Sequence, residues 1–158
     1  MTRYAELQVT THFSFLRGAS SADELFATAA ALGIDAIGVV DRNSLAGIVR
    51  AWEAAKATGV RLVVGCRLDL TDGMSILVYP MDRSAYSRLT RVLSLGKSHG
   101  GKGNCLIDFT DVAEHAAGMI GVLVPDEADE TCAVQLRKMG ELFGDRAAEF
   151  FVVVDDEQ

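Results

Sequence analysis

Hydrophobic residues change their period along this chain, from alternation to helical spacing and back. Residues 4–9 alternate as a strand would. Residues 36–40 and 60–66 are short unbroken apolar runs, the pattern of parallel strands buried on both faces. Two helical stretches lie between them. Ser21-Ala22-Asp23-Glu24 is a capping box: the Ser21 hydroxyl accepts from the Glu24 amide, and the Glu24 carboxylate returns to the Ser21 amide. Leu25, Ala29 and Leu32 share a face of the helix it opens, and Gly33 stops it. Leu45, Ile48, Val49 and Trp52 recur at helical spacing up to Gly59, so Trp52 is expected in the core.

The order then changes. Residues 68–70 and 74–79 flank Asp72-Gly73, a hairpin signal. Asp82 caps a helix expected to run to about residue 95, followed by a mobile loop over the glycine-rich stretch 96–104. A short helix over 112–117, a strand over 119–124, a helix over 131–143 and a last strand over 150–154 complete the pattern. Strand-then-helix units predict an α/β fold, a mainly parallel sheet with helices outside, either open or rolled into a barrel. With no internal repeat and no linker, residues 1–158 read as one domain.

Composition narrows the classes. The chain of 158 residues can bury a real core, and no apolar run approaches the roughly 18 residues of a membrane span. Met1-Thr2-Arg3-Tyr4-Ala5-Glu6 lacks a signal-peptide core, and Cys66, Cys105 and Cys132 are too few and too scattered for a disulfide framework. A cytoplasmic domain with no membrane partner is expected. Fifteen basic against 22 acidic side chains give a net charge of −7, a poor balance for a general nucleic-acid binder. Residues 83–107 depart from it, carrying Arg83, Arg88, Arg91, Lys97 and Lys102 and no acid. That stretch is either a DNA or partner contact or a solvated helix face followed by a loop.

Familiar catalytic motifs fail. Gly96-Lys97-Ser98 resembles the end of a phosphate-binding loop, but Arg91 stands where its first glycine belongs, and a helix rather than a strand precedes it. His12, His99 and His115 lack metal-site spacing and are expected as surface or hydrogen-bonded structural histidines. Cys66, in a buried strand pattern, is expected as a small hydrophobe.

Three segments carry a resemblance. Tyr4-Ala5-Glu6-Leu7-Gln8-Val9-Thr10-Thr11-His12-Phe13-Ser14-Phe15-Leu16-Arg17-Gly18-Ala19-Ser20 resembles the opening of the PHP domain (polymerase and histidinol phosphatase) of bacterial C-family replicative polymerases. Val39-Val40-Asp41-Arg42-Asn43-Ser44-Leu45-Ala46-Gly47 resembles its second motif, and Val64-Gly65-Cys66-Arg67-Leu68 its third. The Leu16-Arg17-Gly18, Asp41-Arg42-Asn43 and Gly65-Cys66-Arg67 variants look most like the error-prone, DnaE-like members that act in damage-induced mutagenesis and translesion synthesis.

The resemblance implies a distorted, TIM-like (βα)7 barrel with metal ligands at the C-terminal ends of its strands. Only the N-terminal two-thirds of that barrel is expected here, without palm, fingers or thumb. The parent would be a nucleotidyltransferase whose polymerase domain uses Mg²⁺. This chain alone is expected to be inactive and to need no cofactor. The implied partners are the remainder of the polymerase chain, DNA through the parent, and mutagenesis accessory proteins. An open sheet edge would also make the isolated chain self-associate.

Departures from the family pattern decide the chemistry. Gln8 and Thr10 stand where metal-binding members have His-x-His, Arg17 where a carboxylate follows, Arg42 where a histidine follows Asp41, and Arg67 where a glutamate is expected. Arginine has no lone pair for Zn²⁺ or Mn²⁺, so no metal is expected at these positions. Arg17, Arg42 and Arg67 each follow a predicted strand and should meet at one mouth. There they would form a salt-bridge lattice with Asp41 and Asp69, or capture an anion such as phosphate or sulfate. Three functions follow in order of preference: a non-catalytic polymerase scaffold, a metal-dependent phosphoesterase or proofreading nuclease, and a nucleic-acid contact module.

Overall fold

The computed structural model describes residues 3–147. They fall into two compact units, one ending at Arg67 and the other beginning at Leu68, each with a three-stranded sheet.

In the first unit the order is β1 (Ala5–Val9), α1 (Ala22–Leu32), β2 (Ala36–Val39), α2 (Ile48–Thr58) and β3 (Arg61–Val64). The sheet is parallel, in the order β1-β2-β3, as the continuous apolar runs require. α1 starts, and both helices stop, where local chemistry says they should. Glu24 N–H donates to Ser21 Oγ at 3.3 Å, and Ser21 N–H donates to Glu24 Oε2 at 2.7 Å. Gly33 and Gly59 take left-handed conformations at the helix ends, with φ of 72° and 78°.

Phe26, fully buried, is the largest side chain of this core, and its burial contributes about 2–3 kcal/mol. Around it sit Ala29, Ile37, Val39, Ala51 and Ala54. The buried face of α2 is therefore mostly alanine, and this corrects the expectation for Trp52. Trp52 is 52% exposed, with the Lys56 ammonium 3.4 Å from its ring centroid, because Ala51, Ala54 and Ala55 take the inward positions. Leu32, expected on the inner face of α1, is likewise exposed, since Ala22, Phe26 and Ala29 define that face.

β4 (Cys66–Asp69) leads into the second unit, which continues with β5 (Ser75–Pro80), α3 (Arg83–Gly100), α4 (Phe109–His115), β6 (Met119–Leu123) and α5 (Glu130–Phe143). The hairpin forms as expected: Gly73 has φ 87°, and Leu70 N–H donates to Met74 O at 2.8 Å. The second sheet departs from the parallel pattern beyond the hairpin: β6 runs antiparallel to β5, with Ile76 opposite Leu123 and Pro80 opposite Met119. A single crossover helix would return the chain parallel. Two successive helices, α3 and α4, return it from the other end.

The stretch 96–104 is also not one mobile loop, since α3 runs on to Gly100. Gly96 is buried inside the helix, where a Cβ would lie 2.5 Å from Ile107 Cγ1 and 2.9 Å from Cys105 Sγ. Its glycine serves close packing, and the turn comes later, at Gly101 and Gly103, with φ of 68° and 83°. The expected strand over 150–154 lies outside the described residues.

Candidate functional site

The C-terminal ends of β1 and β2 meet a loop, residues 11–18, that is tied down by one acid. Asp41 is 1% exposed. Its Oδ1 accepts from Thr11 N–H at 2.8 Å and from Ser14 Oγ at 2.7 Å, and its Oδ2 accepts from Thr11 Oγ1 at 2.7 Å. Ser14 Oγ in turn accepts from Arg42 N–H at 2.9 Å. A buried carboxylate needs such donors to offset its lost hydration. Small residues let the loop close on it. A Cβ on Gly18 would stand 2.2 Å from Thr11 O, and one on Gly47 would stand 3.1 Å from Asp41 Oδ2.

The backbone then brings the arginines together. The β2–β3 ladder continues past its strands, with Gly65 N–H donating to Val39 O at 3.1 Å, Arg67 N–H to Asp41 O at 3.0 Å, and Asn43 N–H to Arg67 O at 2.8 Å. Arg42 and Arg67 thus sit opposite each other in a parallel bridge, and bridged residues direct their side chains to the same side of a sheet. Arg17 N–H donates to Ser14 O at 2.9 Å, which fixes the third arginine to the Asp41-held loop. A cleft of about 210 Å³ results, lined by Thr10, Arg17, Val40, Arg42 and Arg67.

Four of the five positions singled out for a metal therefore do converge, at Thr10, Arg17, Arg42 and Arg67. Gln8 does not join them: it is exposed on β1, and its N–H donates to Glu6 Oε1 at 3.0 Å. The donor set does not fit a metal ion, since three of the lining groups are guanidiniums. Among the described residues no three His, Cys, Asp or Glu side chains are grouped as a metal ion would need.

Asp41 is a correction to the expected salt-bridge lattice. Its carboxylate faces Thr11 and Ser14, not the arginines, because those donors reach it within the buried loop. Asp69 Oδ1 accepts from Ser75 Oγ at 2.7 Å. Thr11 was missed by sequence reasoning. The usable signal was a buried-strand acid, Asp41, that needed donors, with two hydroxyls three residues apart after β1.

The basic segment is divided in the same way. Arg88 Nε donates to Ala117 O at 2.8 Å, which satisfies a carbonyl just beyond α4, so Arg88 is a structural group. Arg83, Arg91, Lys97 and Lys102 are exposed. Two of the histidines face backbone carbonyls, and the third approaches a carboxylate. His12 Nδ1 lies 3.3 Å from Ser20 O, His115 Nδ1 lies 2.8 Å from Asp111 O, and His99 Nδ1 is 3.8 Å from Asp111 Oδ2. Cys66 is fully buried and unbridged.

Strands with crossover helices, and a site where strand ends meet, define an α/β domain. The family model for the PHP domain matches residues 6–154, and the chain belongs to that family. It is 78% identical, over 92% of its length, to error-prone DNA polymerase 2 of Rhizobium meliloti (strain 1021). It is 54% identical, over 89% of its length, to the error-prone DNA polymerase of Caulobacter vibrioides. The chain spans about 13% of the length of each of these relatives. Among solved structures it is similar in fold to an amidohydrolase from Chromobacterium violaceum with bound sulfate and no metal. That match has a TM-score of 0.70 at 14% identity, over 89% of this chain and 74% of the other. No helix among the described residues is long and apolar enough to cross a membrane.

Proposed function

We propose that this chain is the PHP domain of an error-prone DNA polymerase and serves there as a non-catalytic scaffold. Its high identity to polymerases of that name supports the parentage. One observation carries the scaffold reading: the strand-end cleft is walled by Arg17, Arg42 and Arg67, at positions where metal-binding members of the family have acids and histidine. Arginine offers no lone pair and adds positive charge where two or three metal ions would need negative charge. Asp41, the one acid kept in the second motif, has both carboxylate oxygens engaged by Thr11 and Ser14. It builds the loop and does no chemistry.

In this reading the domain supports the polymerase domains of its parent, which supply the Mg²⁺-dependent chemistry of DNA synthesis on damaged templates in the cytoplasm. Accessory proteins of mutagenesis would meet the assembled parent. Elemental analysis of the purified, chelator-free chain for zinc, manganese and iron tests the reading directly. No bound metal is expected, and no Mn²⁺-stimulated phosphodiesterase or 3′-exonuclease activity. One equivalent of metal that survives dialysis, or hydrolysis lost on His12→Ala, would overturn it in favour of a phosphoesterase or proofreading nuclease.

A further inference from the structure

We infer that the cleft between Arg17, Arg42 and Arg67 is an anion site for a phosphate group. The inference rests on the reading that no metal occupies this mouth.

Convergence is the first argument. Main-chain hydrogen bonds fix Arg42 beside Arg67, and the Asp41-anchored loop fixes the backbone of Arg17, so three cationic side chains share one cleft before any ligand arrives. The backbones that carry the donors are fixed before binding, so only side-chain freedom is lost. Chemistry is the second. Each guanidinium carries five N–H donors in a planar fork suited to a phosphate, so each can hold a protein partner and still offer donors to an anion. The Thr10 hydroxyl adds a neutral donor, and buried Val40 gives the cleft an apolar wall.

Charge is the third argument. Three positive side chains at one cleft favour a doubly charged anion over a neutral ligand. The Asp41 carboxylate does not fill the cleft, because it is committed to Thr11 and Ser14. A cleft of about 210 Å³ admits a phosphate group with attendant water. The same chemistry could come from inorganic phosphate, from the end of a nucleic-acid strand or from its phosphodiester backbone.

Thermal unfolding and calorimetric titration of this chain with inorganic phosphate in dilute buffer test the site. Saturable binding that raises Tm is expected, weakened by added chloride. Arg17→Gln should lower the affinity about tenfold or more, the usual cost of one charge-assisted contact, without changing the Tm of the free protein. Arg42→Gln and Arg67→Gln should lower the phosphate affinity in the same way, and the main-chain bridge between these two positions keeps both variants folded. Arg91→Gln, on the exposed face of α3, should leave phosphate binding unchanged. An oligonucleotide with a 5′-phosphate, compared with the same strand lacking it, separates the sources. Competition by the first alone assigns a terminal or free phosphate, and equal competition by both assigns the backbone.

Absence of saturable phosphate binding in the unaltered chain would overturn the inference, as would affinity unchanged by Arg17→Gln. If Arg42→Gln lowers Tm while phosphate has no effect on either protein, the arginines are a structural ion-pair lattice and the inference is wrong. Metal analysis is independent of all these readouts, so the scaffold reading and the phosphate site can fail separately.

Discussion

Arg17, Arg42 and Arg67 are 25 residues apart at each step, and they share one cleft. Arg83, Arg88, Arg91 and Lys97 lie within 15 residues of one another, and they share only a helix. The contrast comes from backbone geometry. Each strand-helix-strand step of the first unit returns the chain to the next position along the same sheet edge, so equivalent positions of successive units become neighbours. Along an α-helix, by contrast, side chains fan out by about 100° per residue. Arg88 turns to the Ala117 carbonyl while Arg91 faces solvent. Charge density in the sequence is therefore a poor guide to charge density in space. Periodicity matched to the fold is a better one.

The comparison depends most on Asp41, because without the loop it holds, Arg17 has no fixed place. Asp41→Ala would strand three buried donors, from Thr11 and Ser14, and is expected to destabilise the chain by about 3 kcal/mol or more. Asp41→Asn keeps an acceptor and should cost roughly half as much. The matched substitution in the second unit is Asp82→Ala. It removes the N-cap of α3, where Asp82 Oδ1 accepts from Ala85 N–H at 2.7 Å, and should cost about 1 kcal/mol. Urea unfolding of the three variants ranks them. A cost for Asp41→Ala no larger than that for Asp82→Ala would show that the loop is not held by its acid.

Gly18→Ala probes the same loop from its other side. The added carbon would meet the Thr11 carbonyl at 2.2 Å, a main-chain atom that cannot swing away, and about 2–3 kcal/mol is expected. Gly96→Ala in α3 meets Ile107 Cγ1 and Cys105 Sγ, side-chain atoms rather than main chain, so roughly 1–2 kcal/mol is expected. The sign of this second result matters more than its size. In a loop, Gly→Ala would be neutral or stabilising through the unfolded chain. Destabilisation measured in urea therefore confirms the packed helix.

These glycines also show how far the sequence could be read. Ser21 and Glu24 announced a capping box because its chemistry is local, and Gly33 and Gly59 marked helix ends for the same reason. The first unit's parallel sheet was legible from its continuous apolar runs. Gly96 was not, since a glycine placed for close approach and one placed for a turn are the same letter until Ile107 is known to lie beside it. The direction of β6 was not legible either, since both helices between β5 and β6 were expected and only their packing sets the end from which the chain returns. Within the site, strand-end positions predicted the meeting of Arg17, Arg42 and Arg67. The fate of Asp41 depended on Thr11 and Ser14, more than 25 residues earlier, and no local pattern links them.

A smaller effect separates the committed cation of α3 from a free-standing one. Arg88→Ala removes the hydrogen bond to Ala117 O and should cost about 1 kcal/mol, while Arg91→Ala should stay within about 0.5 kcal/mol. Equal values would mean that the segment acts as one solvated face.

The smallest effect concerns how the first unit responds to acid. The Glu24 carboxyl is held below its ordinary range by the hydrogen bond from Ser21 N–H and then by the Ser21 hydroxyl. A carboxyl whose pKa is depressed on folding stabilises the fold at pH values above its unfolded pKa. That contribution is lost as the pH falls through the folded value. Glu24→Gln keeps an oxygen acceptor but removes the charge, so it should be less stable than the parent at neutral pH and converge with it as the pH falls through the folded value. In the second unit the Asp129 carboxyl, held low by Cys132 N–H at the start of α5, keeps its own acid dependence in both proteins. Hydrogen exchange of the amides at the start of α1 and α5, followed through that range, distinguishes the two. The variant should alter the acid response of α1 alone, and a parallel change at α5 would show that the two units do not open independently.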